Sequence, residues 1–115
     1  MKKMYYLSSC STCARIMEEL KVKEKKVSLQ DIKSEPITES QLNEMKALSG
    51  SYESLFSRVA LKYKTLQPKP STEAEYKALI LSEYTFLKRP VLIYNKHIFI
   101  GNSKSVVAEA KKTLV

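Results

Sequence analysis

The chain has 115 residues, 43% of them apolar, with two glycines and four prolines. That composition excludes a disordered or collagen-like polymer and fits one folded domain. Twenty Lys and Arg against twelve Asp and Glu give a formal charge of +8, which points to anionic company, yet the basic residues are scattered and no nucleic-acid-binding motif accompanies them.

No apolar run approaches the roughly 18 residues of a membrane span. Lys2-Lys3 is followed by too short an apolar stretch for a secretory signal. The expected location is therefore the reducing cytoplasm, where paired cysteines serve chemistry or metal binding more often than structure. The densest basic cluster, residues 21–26, is interrupted by Glu24 and reads as a solvated helix end.

Residues 4–7 read as a short buried strand, and 11–22 as a helix with Ile16, Met17 and Leu20 on one face. A second strand is expected over 26–29, where Val27 and Leu29 alternate, followed by a polar turn over 31–36. Thr38 opens a helix through a capping box with Gln41. That helix carries Leu42, Met45 and Leu48 on its apolar side and ends at Gly50. Residues 51–63 read as another helix with Tyr52, Leu55, Phe56 and Val59 facing inward.

After a break over 67–70, Ser71 or Thr72 caps a helix whose stripe is Tyr76, Leu79 and Ile80, with Tyr84 at its end. Residues 90–94 and 97–100 are β-rich runs joined by Asn95-Lys96, a good hairpin turn. Ser103 caps a last helix with Val106, Val107, Ala110 and Leu114 on one side. The order β-α-β, helical block, β-β-α predicts an α/β fold. It is a thioredoxin/glutaredoxin-like four-stranded mixed sheet, one domain over 1–115, with a helical insertion over about 38–86.

Cys10-Ser11-Thr12-Cys13 holds the only two cysteines and lies at the first strand-to-helix junction. There one thiol sits over the unpaired N–H groups of a helix start, which favour a thiolate. The second lies one turn on and can close a disulfide. Two bland readings stand beside this one: Cys10 as a small buried apolar residue, and Cys13 as a core residue that never oxidises. A zinc site needs four ligands, which two cysteines and the lone His97 do not supply, so no metal is expected. His97 itself reads as a strand residue beside the hairpin turn.

Cys10 after the first strand, the helical insertion, Arg58 eight residues after Gly50, and Lys88-Arg89-Pro90 opening the hairpin together resemble the ArsC/Spx family. These thioredoxin-like proteins include glutaredoxin-coupled arsenate reductases and the transcriptional regulator Spx. The resemblance covers nearly the whole chain. It implies Cys10 as nucleophile and Cys13 as the resolving thiol. The helix start at Ser11 and Thr12, with Arg58 and Arg89, would hold the substrate oxyanion, and Pro90 would be a cis-proline facing the site. It further implies no bound cofactor, an oxyanion or disulfide substrate, and glutathione/glutaredoxin or thioredoxin as electron donor. The expected molecule is a monomer that touches neither membrane nor nucleic acid directly.

Three departures from the arsenate reductases are visible. Their third arginine after the last strand is replaced by Phe99-Ile100-Gly101-Asn102. Their His-Asn-Pro before the nucleophile is replaced by Tyr6-Leu7-Ser8-Ser9, and Ala14 stands where they carry arginine, with Arg15 one step displaced. The C-x-x-C is instead the arrangement of Spx. That resemblance implies an alternative: a regulator whose Cys10–Cys13 disulfide alters binding to the RNA polymerase alpha subunit, with Gly50 in the region resembling the polymerase-contacting surface.

Overall fold

In the computed structural model, which describes residues 2–114, the chain begins with β1 (Lys2–Tyr6), α1 (Ser11–Leu20) and β2 (Ser28–Asp31). Helices α2 (Glu39–Ser49) and α3 (Glu73–Ser82) follow, and then β3 (Val91–Tyr94), β4 (His97–Ile100) and α4 (Lys104–Leu114). Short 3₁₀ turns lie at Glu53–Leu55, Leu61–Thr65 and Tyr84–Phe86. The strands form one sheet in the order β2-β1-β3-β4. β1 and β2 are parallel, and β3 runs antiparallel to both β1 and β4. This is the thioredoxin-like four-stranded mixed sheet expected from the order of elements. The chain divides into two compact units.

The first unit is the chain up to Glu35 and from Arg89 onward. Alternation along the strands puts Met4 beside Leu29 and Leu92, and Leu92 beside Phe99, on one face. Ile16 and Leu20 of α1, Val107, Ala110 and Leu114 of α4, and Val22 and Val27 of the connection pack onto that face. Tyr5, Gln30, Val91 and Ile93 alternate to the other side and are buried as well.

Two boundaries differ from the sequence expectation. Helix α1 stops at Leu20 because Lys21 turns into the left-handed region (φ 54°) and its N–H bonds the Glu18 carbonyl. β2 begins at Ser28 rather than 26 because Lys26 is also left-handed (φ 58°) and cannot continue a strand. The hairpin is as read, with Asn95 at φ 58° between β3 and β4. Ser103 caps α4 by accepting the Val106 N–H on its hydroxyl at 3.2 Å.

The second unit, residues 36–88, holds α2 and α3. Both start with complete capping boxes, Thr38 with Gln41 and Thr72 with Glu75. Gly50 closes α2 at φ 98°, which only glycine adopts without strain.

The expected helix over 51–63 is absent. The Glu73 carboxylate accepts the N–H groups of Tyr52 (2.7 Å) and Glu53 (3.0 Å), which starts a 3₁₀ turn there. Phe56 is extended and bridges Leu87, with Ser57 N–H donating to Phe86 O (2.7 Å) and Lys88 N–H to Leu55 O (2.8 Å). Leu55 and Phe56 are buried as expected, but Val59 is 87% exposed. Tyr84 is only half-buried, and the burial expected of it falls on Phe86 and Leu87. Phe56 is the centre of this unit's core, with ring centroids of Tyr76, Phe86 and Tyr63 at 5.1, 5.3 and 5.8 Å.

Phe56→Ala should therefore destabilise the chain by about 3–5 kcal/mol and Leu92→Ala by about 2–5 kcal/mol. Val59→Ser should stay within about 0.5 kcal/mol of the parent. Urea unfolding of the three variants checks all of these.

Candidate active site

β1 ends at Tyr6, whose carbonyl accepts the Ile32 N–H at 2.9 Å. The chain then turns over residues 7–10, and Cys10 N–H donates back to Leu7 O at 3.0 Å. This turn sets Cys10 as the N-cap of α1, with extended backbone (φ −98°, ψ 112°). Its carbonyl accepts the first helical N–H, from Ala14, at 3.2 Å. As a neutral thiol it forms no side-chain cap hydrogen bond, in contrast to Thr38 and Thr72. The orphan N–H groups of the first turn are left to a thiolate. Both cysteines are free thiols, Cys10 half-buried and Cys13 completely buried.

Burial alone would raise the Cys10 pKa. It is outweighed by the Cys13 backbone N–H, the Cys13 S–H, the Thr12 backbone N–H and the charge of Arg89, so the thiol lies below its ordinary 9.0. Cys13 goes the other way: burial pushes it up to about 11, against a bond from the Leu7 backbone and the charge of Arg89. The hydrogen bond it gives Cys10, and the negative charge there, raise it further. The pair thus holds its last proton on the inner sulfur and its charge on the outer one.

Arg89 leads into β3 through a cis peptide to Pro90, which is buried. Pro90 O accepts the Gly101 N–H at 2.9 Å. The structure thus brings Cys10, Cys13, Thr12 and Arg89 together, with Ser11 at the start of α1. Arg58 belongs to the second unit. There its Nη2 donates to Glu53 Oε2 and to the Tyr76 hydroxyl, both at 2.8 Å, and its guanidinium lies over the Tyr76 ring. The Glu53 bond is the main reason that its pKa is raised. His97 is exposed and stacks on Phe99 beside the hairpin turn.

The sequence places Asp31 in a polar turn with no part in the site. Its Oδ1 accepts the N–H of Ser8 at 3.3 Å and of Lys33 at 3.2 Å. A carboxylate ending a strand next to a polar turn was the available signal. A groove of about 530 Å³ borders the motif through Ser8 and Ala14 and is floored by Leu7, Met17, Val22 and Leu29.

Fold and site define a thioredoxin-like α/β protein with an N-terminal dithiol motif. Its architecture is that of ArsC-type proteins. An ArsC family related protein from Bacteroides fragilis superposes with a TM-score of 0.77 at 21% identity, over 95% of this chain and 96% of that one. An arsenate reductase from Vibrio cholerae gives 0.76 at 13% identity, over 95% and 96%. A candidate arsenate reductase from Streptococcus mutans gives 0.71 at 26% identity, over 90% and 92%. No family model and no curated protein matches the sequence. The chain is ArsC-like, and these likenesses establish that at the level of the fold.

Alkylation of the folded protein followed against pH should show a Cys10 midpoint below 9.0, with the buried Cys13, its thiol pushed up to about 11, labelled far more slowly. Cys13→Ala removes a donor to the thiolate, so it should raise the Cys10 midpoint. Mass-spectrometric mapping of the label resolves the two sites.

Proposed function

We propose that this chain is a thiol-dependent oxidoreductase of the arsenate reductase kind, with Cys10 as nucleophile. The observation that carries the reading is the geometry of the motif: Cys10 is the half-buried N-cap of α1, and Cys13 lies completely buried in the first turn behind it. A disulfide substrate is attacked by the Cys10 thiolate, which forms a mixed disulfide and releases one thiolate. Cys13, once deprotonated, or an external thiol, then attacks the Cys10 sulfur and releases the second substrate thiol.

With an arsenate-like oxyanion, Cys10 sulfur displaces one oxygen, which leaves as water after protonation. Attack by a second thiol on that sulfur returns an electron pair to the central atom and leaves a disulfide. Arg89 and the first-turn N–H groups at Ser11 and Thr12 offer the positive field such an anion needs. Arg58, within the second unit, is already paired with Glu53. Glutathione with glutaredoxin, or thioredoxin, supplies the electrons, no bound cofactor is required, and the working compartment is the cytoplasm.

The hydrogen bond between the two sulfurs also supports a second reading. In it the Cys10–Cys13 disulfide is a switch for binding the RNA polymerase alpha subunit.

Arsenate reduction with glutathione plus glutaredoxin, and separately with thioredoxin, tests the enzyme. Turnover that Cys10→Ser abolishes supports it. Silence in both systems, with redox-dependent capture of polymerase, supports the regulator. Arg89→Ala should cost a charge-assisted contact worth about 1.5–3 kcal/mol, roughly ten- to a hundredfold in kcat/KM.

The arginine missing after β4 can be restored at one of two positions. Gly101 is at φ 88°, where a side chain is strained although the space is open, so Asn102→Arg is the better variant. It should tighten arsenate binding by a similar factor, read as a fall in KM.

A further inference from the structure

We infer that Asp31 is a positioning residue that holds the 7–10 turn, and through it both sulfurs, in the arrangement the reaction needs. Within the turn itself Cys10 N–H donates to Leu7 O. Ser8 and Ser9 are exposed, and Ser8 sits at the corner between β1 and α1. Asp31 reaches that corner from the end of β2, directly beside Tyr6 in the parallel register. One carboxylate oxygen accepts the Ser8 N–H (3.3 Å) and also the Lys33 N–H (3.2 Å). Around the same residue, the Asp31 carbonyl accepts the Glu35 N–H at 2.8 Å and the Ser34 hydroxyl at 3.4 Å. Neighbouring Ile32 donates to Tyr6 O at 2.9 Å. The loop after β2 is thereby fixed to the loop after β1.

The clamp reaches the chemistry through Leu7. Its carbonyl receives the Cys10 N–H, and its backbone bonds the Cys13 sulfur. A shift at Ser8 therefore moves the acceptor that holds the N-cap and the donor that holds the inner thiol. The hydrogen bonds from Ser8 and Lys33 hold the Asp31 carboxyl below its usual range, although its slight burial works the other way. The carboxylate is thus the form that keeps the turn. Its negative charge opposes a second negative charge on Cys10, so any benefit to the thiolate comes through geometry and not through the field.

That opposition of signs makes the proposal testable. It rests on the reading of Cys10 as an attacking thiolate, and alkylation of the parent protein checks that reading first. A Cys10 midpoint at or above the ordinary thiol value would sink the reading itself, whatever Asp31 does. Given a low parent midpoint, the rate of Cys10 alkylation at neutral pH and its pH profile are measured for Asp31→Ala and Asp31→Asn.

Asp31→Ala removes the acceptor. The rate should fall by about three- to tenfold, the scale of one modest hydrogen bond, and the midpoint should rise. Asp31→Asn keeps an oxygen acceptor and loses the charge, so it should recover most of the parent rate. If both variants react faster than the parent, Asp31 acts only through its charge and the inference is wrong. Parent rates in both variants, or equal losses in both, overturn it as well. Circular dichroism and urea midpoints confirm that the compared proteins are folded, and Asp31→Leu, similar in size and without an acceptor, takes the place of Asp31→Ala if that variant does not fold.

Discussion

A helix must satisfy the N–H groups of its first turn, and this chain meets that demand in two ways. Thr38, Thr72 and Ser103 use side-chain oxygens at the starts of α2, α3 and α4. Cys10 starts α1 with a sulfur that has no oxygen-type cap hydrogen bond. The helix end that lacks an oxygen cap is the one that follows β1 at its carboxyl end, where α/β sheets gather ligands. The difference of one atom type turns a structural requirement into a source of reactivity, because ionising the thiol supplies the missing acceptor.

The remainder of the first unit serves that helix start. α1 is held against the sheet by Ile16 and Leu20, which meet Met4, Leu92 and α4 in one core. β3 runs antiparallel to β1, so Arg89, just ahead of β3, lies at the same end of the sheet. Burial of Cys13 and the shared proton then divide the labour between two chemically identical groups. Helix-end donors and the charge of Arg89 act together to favour the thiolate.

Much of this was legible in the residues. The strands announced themselves through short apolar runs and an Asn-led turn, and α2, α3 and α4 through their Thr and Ser caps. The C-x-x-C stood out because a cysteine pair one turn apart at a helix start has few structural purposes, and Cys10 is indeed the N-cap of α1. Residues 51–63 misled because Tyr52, Leu55, Phe56 and Val59 copy helical spacing. What decides their structure is the Glu73 carboxylate and the backbone of Phe86 to Lys88, partners twenty or more residues away that no local window contains. Lys21 and Lys26 carry no mark of their left-handed backbone, so the ends of α1 and β2 shifted. Asp31 looked like turn chemistry because its second partner, Ser8, is remote in sequence.

The complete burial of Cys13 has a consequence for the order of events at this motif. A peroxide or disulfide arriving from solvent meets one sulfur only, so oxidation enters through Cys10. Whatever adduct forms there has a thiol already at its back, within the protein and shielded from competing reagents. On the proposed reading, burial makes the inner cysteine a one-way trap, reached only after Cys10 has reacted.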